Sequence, residues 1–140
     1  MSVITHYLNI SMNGDSTIEN LTQQIHRVLA ASGLQSGILT LFVQHTTASV
    51  MIIEDEPGIR ADTKTFWNRM IPANPQWEHN TRNAGEDNGH SHLRGQLQGP
   101  SLTIPFVKGT LTLGIWQQLV LIDFDTRSRT RNLVVQLMGE

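Results

Sequence analysis

Four side chains able to move protons or hold a cation, His45, Glu54, Asp55 and Glu56, bracket one apolar run in LFVQHTTASVMIIEDEP, residues 41–57. His45 ends a strand-like stretch where the chain turns through TTAS. It reads either as a strand-end residue bonded to backbone, with Thr46 and Thr47 closing the turn, or as an imidazole delivered to a cleft. The three consecutive acids repel one another, so they are either solvated or share a cation.

A second group lies in WEHNTRNAGEDNGHSHLR, residues 77–94, where His79, His90 and His92 alternate with acids and amides. Neutral imidazoles with carboxylates are the usual ligands of zinc or manganese, whereas carboxylates alone suit magnesium. The H-x-H pair is common by chance, and on a helix His90 and His92 point apart, so one of them is expected behind the other in a supporting role. A third group is cationic: Arg94, Lys108, and Arg127, Arg129 and Arg131 of RSRTR. In an extended segment those last three share one face. Guanidinium forks match phosphate oxygens, which makes a phosphate or diphosphate their natural partner; charge protecting an edge strand is the other reading.

The elements that position these groups follow from patterning. The chain has 140 residues, a formal charge of -2 and no cysteine. One globular domain spanning residues 1–140 is expected, without disulfides, thiolate metal sites or the basic surface that a nucleic-acid or anionic-membrane partner needs. MSVITHYLNIS has no cationic segment ahead of a long apolar one. No stretch reaches the ~18 apolar residues of a membrane span, so the expectation is a soluble, cytoplasmic protein.

In DSTIENLTQQIHRVLAASG, Ile18, Leu21, Ile25, Val28 and Leu29 fall on one helical face. Ser16 and Glu19 make a capping-box pattern, and Gly33 is a left-handed stop. SGILTLFVQH and SVMIIED read as strands covered on both faces, and PGIRADTKTFWNRM as a second helix opened by its proline. Residues 72–89 form a long aperiodic loop of the kind that carries function. GHSHLRGQLQG reads as a short helix, and the remainder as three or four strands. This order predicts an α+β sandwich of a mainly antiparallel sheet with two main helices. If the two strands flanking TTAS are hairpin neighbours, His45 and the acids lie at opposite ends, ~17 Å apart for a five-residue strand. Such spacing favours a site shared between subunits.

FVQHTTASVMIIEDE, WEHN, DNGHSHLRGQLQGPSL, KGTLTLGIWQQLVLIDFD and RTRNLVVQLMGE together resemble the YjbQ-like family, described as secondary thiamine-phosphate synthase enzymes. The resemblance spans nearly the whole chain. It implies a homotrimer with an intersubunit site, and a reaction joining a pyrimidine methyl diphosphate to a thiazole phosphate with loss of diphosphate as a secondary activity. Carried onto this chain, it implies His45, Glu54, His92 and Gln117 as catalytic residues, with Trp116 beside Gln117 as a stacking surface or a core residue. His79, Asp87 and His92, with a looser match at His90, become candidate metal ligands. Arg129 and Arg131 fit that family's pattern and, with Arg94 and Lys108 of the cationic group read above, are the candidate phosphate ligands. A divalent cation is the implied cofactor, magnesium for the diphosphate or zinc or manganese at the histidines, and a phosphorylated small molecule is the implied partner. RSRTR departs from the Gly-Pro-Arg-x-Arg turn common in that family. Two other readings of the same clusters are a non-catalytic trimer that binds a metal or phosphorylated metabolite, and a structural trimer.

Overall fold

The computed structural model describes all 140 residues. In chain order the elements are β1 (Ser2–Met12), β2 (Thr17–Asn20), α1 (Thr22–Ser32), β3 (Ser36–Val43), β4 (Ala48–Ile53), α2 (Pro57–Met70), α3 (Glu78–Arg82), α4 (Gly89–Gln98), β5 (Ser101–Val107), β6 (Thr110–Leu111), β7 (Gln118–Asp123) and β8 (Arg129–Gly139). They form the expected α+β sandwich, built from two antiparallel sheets with orders β1-β8-β3-β5-β6 and β2-β7-β4.

Side-chain alternation explains the layers. Leu133, Val135 and Leu137 of β8 and Leu39, Leu41 and Val43 of β3 point inward and pack with Val50, Leu119 and Leu121 of the smaller sheet. The opposite face of the smaller sheet carries Met51, Val120 and Ile122, which pack with Trp67 of α2 and with Phe124. Each such aliphatic side chain contributes about 1.5–3 kcal/mol on full burial. The smaller sheet is thus covered on both faces and the larger on one, so the expectation of two-sided cover holds for β4 and fails for β3, whose Ile38 and Phe42 are exposed.

Three local expectations are corrected. The helix expected from Ser16 starts only at Thr22; Thr17–Asn20 pairs with β7 instead. Leu21, Ile25 and Leu29 enter the main core, but Ile18 belongs to the cluster on the far side of the small sheet, so one helical stripe cannot serve both. The capping box is therefore absent: Leu21 is the N-cap and makes no side-chain cap, while Gly33 is the left-handed stop, at φ 73°. Strands β3 and β4 are not hairpin partners. TTAS carries the chain from one sheet to the other, and the end-to-end separation argued from a hairpin does not apply.

Each of the clustered acids except Glu54 has a local structural partner. Glu56 caps α2, accepting the backbone N–H of Gly58 at 2.8 Å and that of Ile59. Asp55 holds Arg60 through Nε at 2.5 Å and Nη2 at 2.9 Å and accepts Asn20 at 2.8 Å. No helix is long and apolar enough to cross a membrane.

Candidate functional site

Four chain segments meet at one end of the sandwich: the residues after β3, the end of β7, the start of β8, and the start of α4 with the short α3 before it. They line a cleft of about 290 Å³ whose ten lining residues include no hydrophobic one: His45, Thr46, Thr47, His79, Glu86, Asn88, His92, Asp125, Arg129 and Arg131.

The ion pairs at its floor come from the strand period. Arg129 and Arg131 share the inward face of β8, but at the sandwich edge they meet acids in place of leucines. Arg131, with its side chain 1% exposed, places Nε 3.0 Å and Nη2 2.5 Å from the two oxygens of Asp123. Its Nη2 also donates to Thr47 Oγ1 at 2.9 Å. This guanidinium is committed to the fold. A buried charge is tolerated only when so paired. Arg129 differs. Its Nε donates to Asp125 at 2.7 Å, and its two terminal nitrogens have no protein partner on a half-exposed side chain.

Asp125 is the hub. Its Oδ1 accepts the Thr126 N–H at 2.7 Å and Asn88 Nδ2 at 3.2 Å; its Oδ2 accepts Thr47 Oγ1 at 2.9 Å and Arg129. Burial alone pushes the carboxyl up, but the donors from Asn88, Thr126, Thr47 and Arg129 outweigh it and bring the pKa down to about 2.

The histidines reach the cleft from different elements. His45 extends the β3–β8 ladder past its last pair: Gln44 N–H donates to Asn132 O at 3.0 Å, and His45 Nε2 accepts the Asn132 N–H at 2.9 Å. His79 of α3 faces His92 of α4, ring centroids 4.4 Å apart, and its Nε2 lies 3.1 Å from Asn88 Oδ1. Burial, followed by the charge of Arg131, pushes His45 below its ordinary pKa; burial, followed by His79, does the same for His92. These two rings are neutral near pH 7. Gly95 lets α4 come this close: a Cβ there would stand 2.6 Å from Thr46 O.

Of the residues singled out from sequence, the cleft gathers His45, His79, His92, Arg129 and Arg131. The others lie elsewhere for visible reasons. Glu54 is outside the lining. Gln117 closes a turn by accepting the Gly114 N–H at 2.7 Å, and Trp116 is 67% exposed, neither core nor cleft wall. Arg94 is buried and spends its donors on Ile71 O, Ser16 and Asn68, tying α4 to the end of α2. Lys108, at φ 53°, and Gly109 form the two-residue turn between β5 and β6. Asp87 accepts the Thr126 hydroxyl at 2.7 Å and lies 3.9 Å from Arg127. His90 is buried with Nδ1 unpartnered, away from the cleft. The expected set of His79, Asp87, His90 and His92 therefore does not converge, and no group of three or more His, Asp or Glu side chains in one chain is placed to hold a metal ion. Sequence reasoning missed Asp125, Asn88, Glu86 and Asp123. The signal for the two aspartates was their alternation at the end of LIDFD, which puts both acids on one strand face as the chain leaves the sheet.

Comparison with known proteins gives a family model, UPF0047 protein YjbQ-like, matching residues 6–140. The chain belongs to the YjbQ-like UPF0047 family. A UPF0047 protein of Methanothermobacter thermautotrophicus is 31% identical over 140 residues, covering 100% of this chain and 95% of that protein. UPF0047 protein YjbQ of Escherichia coli O157:H7 is 34% identical over 105 residues, covering 74% and 75%. Among solved structures, a YbjQ-like protein of unknown function from Sulfolobus solfataricus P2 superposes with a TM-score of 0.88 at 27% identity, over 99% of this chain and 100% of that one. A hypothetical protein from Aeropyrum pernix K1 gives 0.90 at 29%, over 98% and 99%. These YjbQ-like relatives carry the family designation or no stated function, and none is described as a thiamine-phosphate synthase. The activity implied by the resemblance is therefore withdrawn. The geometry agrees, since the glutamate, glutamine and two of the cations assigned to that reaction lie outside the cleft.

Proposed function

We propose that the cleft is the working site of an enzyme acting by proton transfer on a small phosphorylated molecule. The observation that carries this is Arg129: Nε rests on Asp125 while both terminal nitrogens are unpartnered on the wall of an all-polar cleft beside three histidines. Asp125 fixes the fork in direction, and the free edge offers two parallel donors to an anion. His45 supplies a further N–H. His79 and His92, with ring centroids 4.4 Å apart on the cleft wall, are the candidates for exchanging a proton with a bound molecule. At about 290 Å³ the cleft takes a small metabolite.

The test is a titration with inorganic phosphate and a panel of phosphorylated metabolites, followed by NMR of the histidine ring protons, for the wild type and Arg129→Gln. Phosphate should shift His45, His79 and His92 in the wild type, and the variant should bind at least tenfold more weakly. Equal binding by the variant, or unmoved histidine signals at tens of millimolar phosphate, overturns the reading. A metabolite that is turned over by the wild type and not by His92→Ala would identify the substrate.

A further inference from the structure

The hydrogen bonds around Asp125 determine more than charge, because they fix where the protons of two histidines sit. Asp125 Oδ1 receives the Thr126 backbone N–H and Oδ2 receives Arg129 Nε–H; both are obligate donors. The Thr47 hydroxyl is already an acceptor for Arg131 Nη2, so its own proton points to Asp125. Asp125 is thus purely an acceptor, and the group of Asn88 that lies 3.2 Å from it must be the NH2. The Asn88 carbonyl oxygen is left facing His79 Nε2 at 3.1 Å. Glu86 Oε2 is 3.9 Å from the same nitrogen. Two acceptors face Nε2 and no donor does, so that nitrogen carries hydrogen, and Nδ1, which has no protein partner, carries the lone pair.

His45 is set the other way. Its Nε2 accepts the Asn132 backbone N–H at 2.9 Å, so the ring hydrogen must be on Nδ1.

We infer that Asn88 and Asp125 are positioning residues that place the single proton of the uncharged His79 ring form on Nε2 and its lone pair on Nδ1, while the β8 backbone holds His45 with its proton on Nδ1. Two residues of the cleft lining then differ in their ring protons, one with a lone pair able to accept a proton and the other with an N–H able to give a hydrogen bond. His45 gives only the hydrogen bond, because losing Nδ1–H from a neutral ring would leave an imidazolate. In a turnover step, a proton leaves a ligand atom for His79 Nδ1, the electron pair stays on the ligand, and the negative charge that develops is met by His45 Nδ1–H and the free edge of Arg129. The substrate class this fits is a phosphorylated molecule with an acidic C–H or O–H next to a group that can take up the charge, such as a carbonyl. That assignment of class rests on the function proposed above; the ring protonation pattern does not.

The pattern is read directly by long-range 1H–15N NMR of the imidazole nitrogens at pH 8, where free histidine is neutral. In the wild type, His79 should show a bare Nδ1 and a protonated Nε2, and His45 the reverse, each ring with the full separation between bare and protonated nitrogen shifts. Asn88→Ala should shrink that separation at His79 as both protonation patterns become populated, with His45 unchanged. A wild-type His79 protonated on Nδ1, a wild-type His45 protonated on Nε2, or an Asn88→Ala variant with unmoved His79 shifts each overturns the inference. The wild-type measurement needs no variant to fold. Failure to bind phosphate, with the ring pattern found as described, would sink the proposed function and leave this inference standing.

Discussion

Asp125, with its side chain 2% exposed, accepts four hydrogen bonds on two oxygens, and its pKa falls from the ordinary 3.8 to about 2. A group whose folded pKa is depressed stabilises the fold above its unfolded pKa and loses that contribution as pH falls through the folded value. The window here runs from about pH 4 down to about pH 2, and a shift of this size corresponds to about 2 kcal/mol. Urea midpoints of the wild type and Asp125→Asn, measured at pH 5 and pH 2, should show the wild type losing more stability on acidification; parallel losses would contradict the hub role. His92 has the opposite use. Burial and His79 depress its pKa, and an anion bound beside it should raise it again. Binding then takes up a proton, so affinity for sulfate, which stays dianionic, should rise as pH falls below about 6.5. Calorimetry at pH 7.5 and 5.5 reads this, with His92→Ala losing the dependence. Of the cleft residues, the histidines, Arg129 and Arg131 were legible because they cluster in short runs, although each also had a structural reading, which His45 in part fulfils by accepting the Asn132 N–H. Asp125 and Asn88 were not, because an acid or amide near a strand end is also what any turn requires.

At the scale of elements, sequence patterning found α2, α4 and the later strands, and it misread the stretch before α1 for an identifiable reason. Ile18 continues the helical stripe of Leu21, Ile25 and Leu29 in sequence, yet Thr17–Asn20 adds to β7, and a ladder partner a hundred residues away leaves no local trace. The same blindness hid the approach of α4 to TTAS. Gly95 sits mid-helix, where glycine is about 1 kcal/mol worse than alanine, so propensity alone predicts that Gly95→Ala stabilises. Contact predicts the reverse, since the new Cβ would stand 2.6 Å from Thr46 O, a backbone atom that cannot rotate away. The expected outcome is a net destabilisation of about 1–3 kcal/mol by urea unfolding, with shifted His92 and Thr47 resonances. A more stable variant would show that α4 has room to spare. At the start of α2, Glu56 holds two backbone amides, and Glu56→Ala should cost about 1 kcal/mol without altering phosphate binding.

For the whole molecule, the larger sheet poses a question its own chain does not answer. Its inner face is packed, but the outer face, which in an antiparallel sheet facing water should be polar, carries Val3 and Tyr7 of β1, Ile38 and Phe42 of β3, Val107 of β5 and Met138 of β8, all exposed. The registers place them side by side: Val3 opposite Met138, Met138 opposite Ile38, and Tyr7 and Phe42 both opposite Val134. Two exposed apolar rows on one sheet face, Val3 with Met138 and Ile38 and Tyr7 with Phe42, are the kind of surface through which chains associate. Thr5, Thr40, Thr103 and Gln136 interleave with it, a mixture closer to an interface than to a domain core. We propose that copies of the chain associate through this face into the homotrimer that the family resemblance implies. Strand β8 has Met138 on this face and Arg129 and Arg131 on the other, so self-association would brace the strand that carries the cleft's arginines. Light scattering after size exclusion should give three times the 15.7 kDa chain mass, and Tyr7→Glu with Phe42→Glu should lower it to one. If the double variant keeps its fold but still runs as the larger species, the association surface lies elsewhere; if the wild type is a monomer at tens of micromolar, the exposed face belongs to a different partner. Loss of assembly together with weaker phosphate binding would tie the strand's two faces into one functional unit.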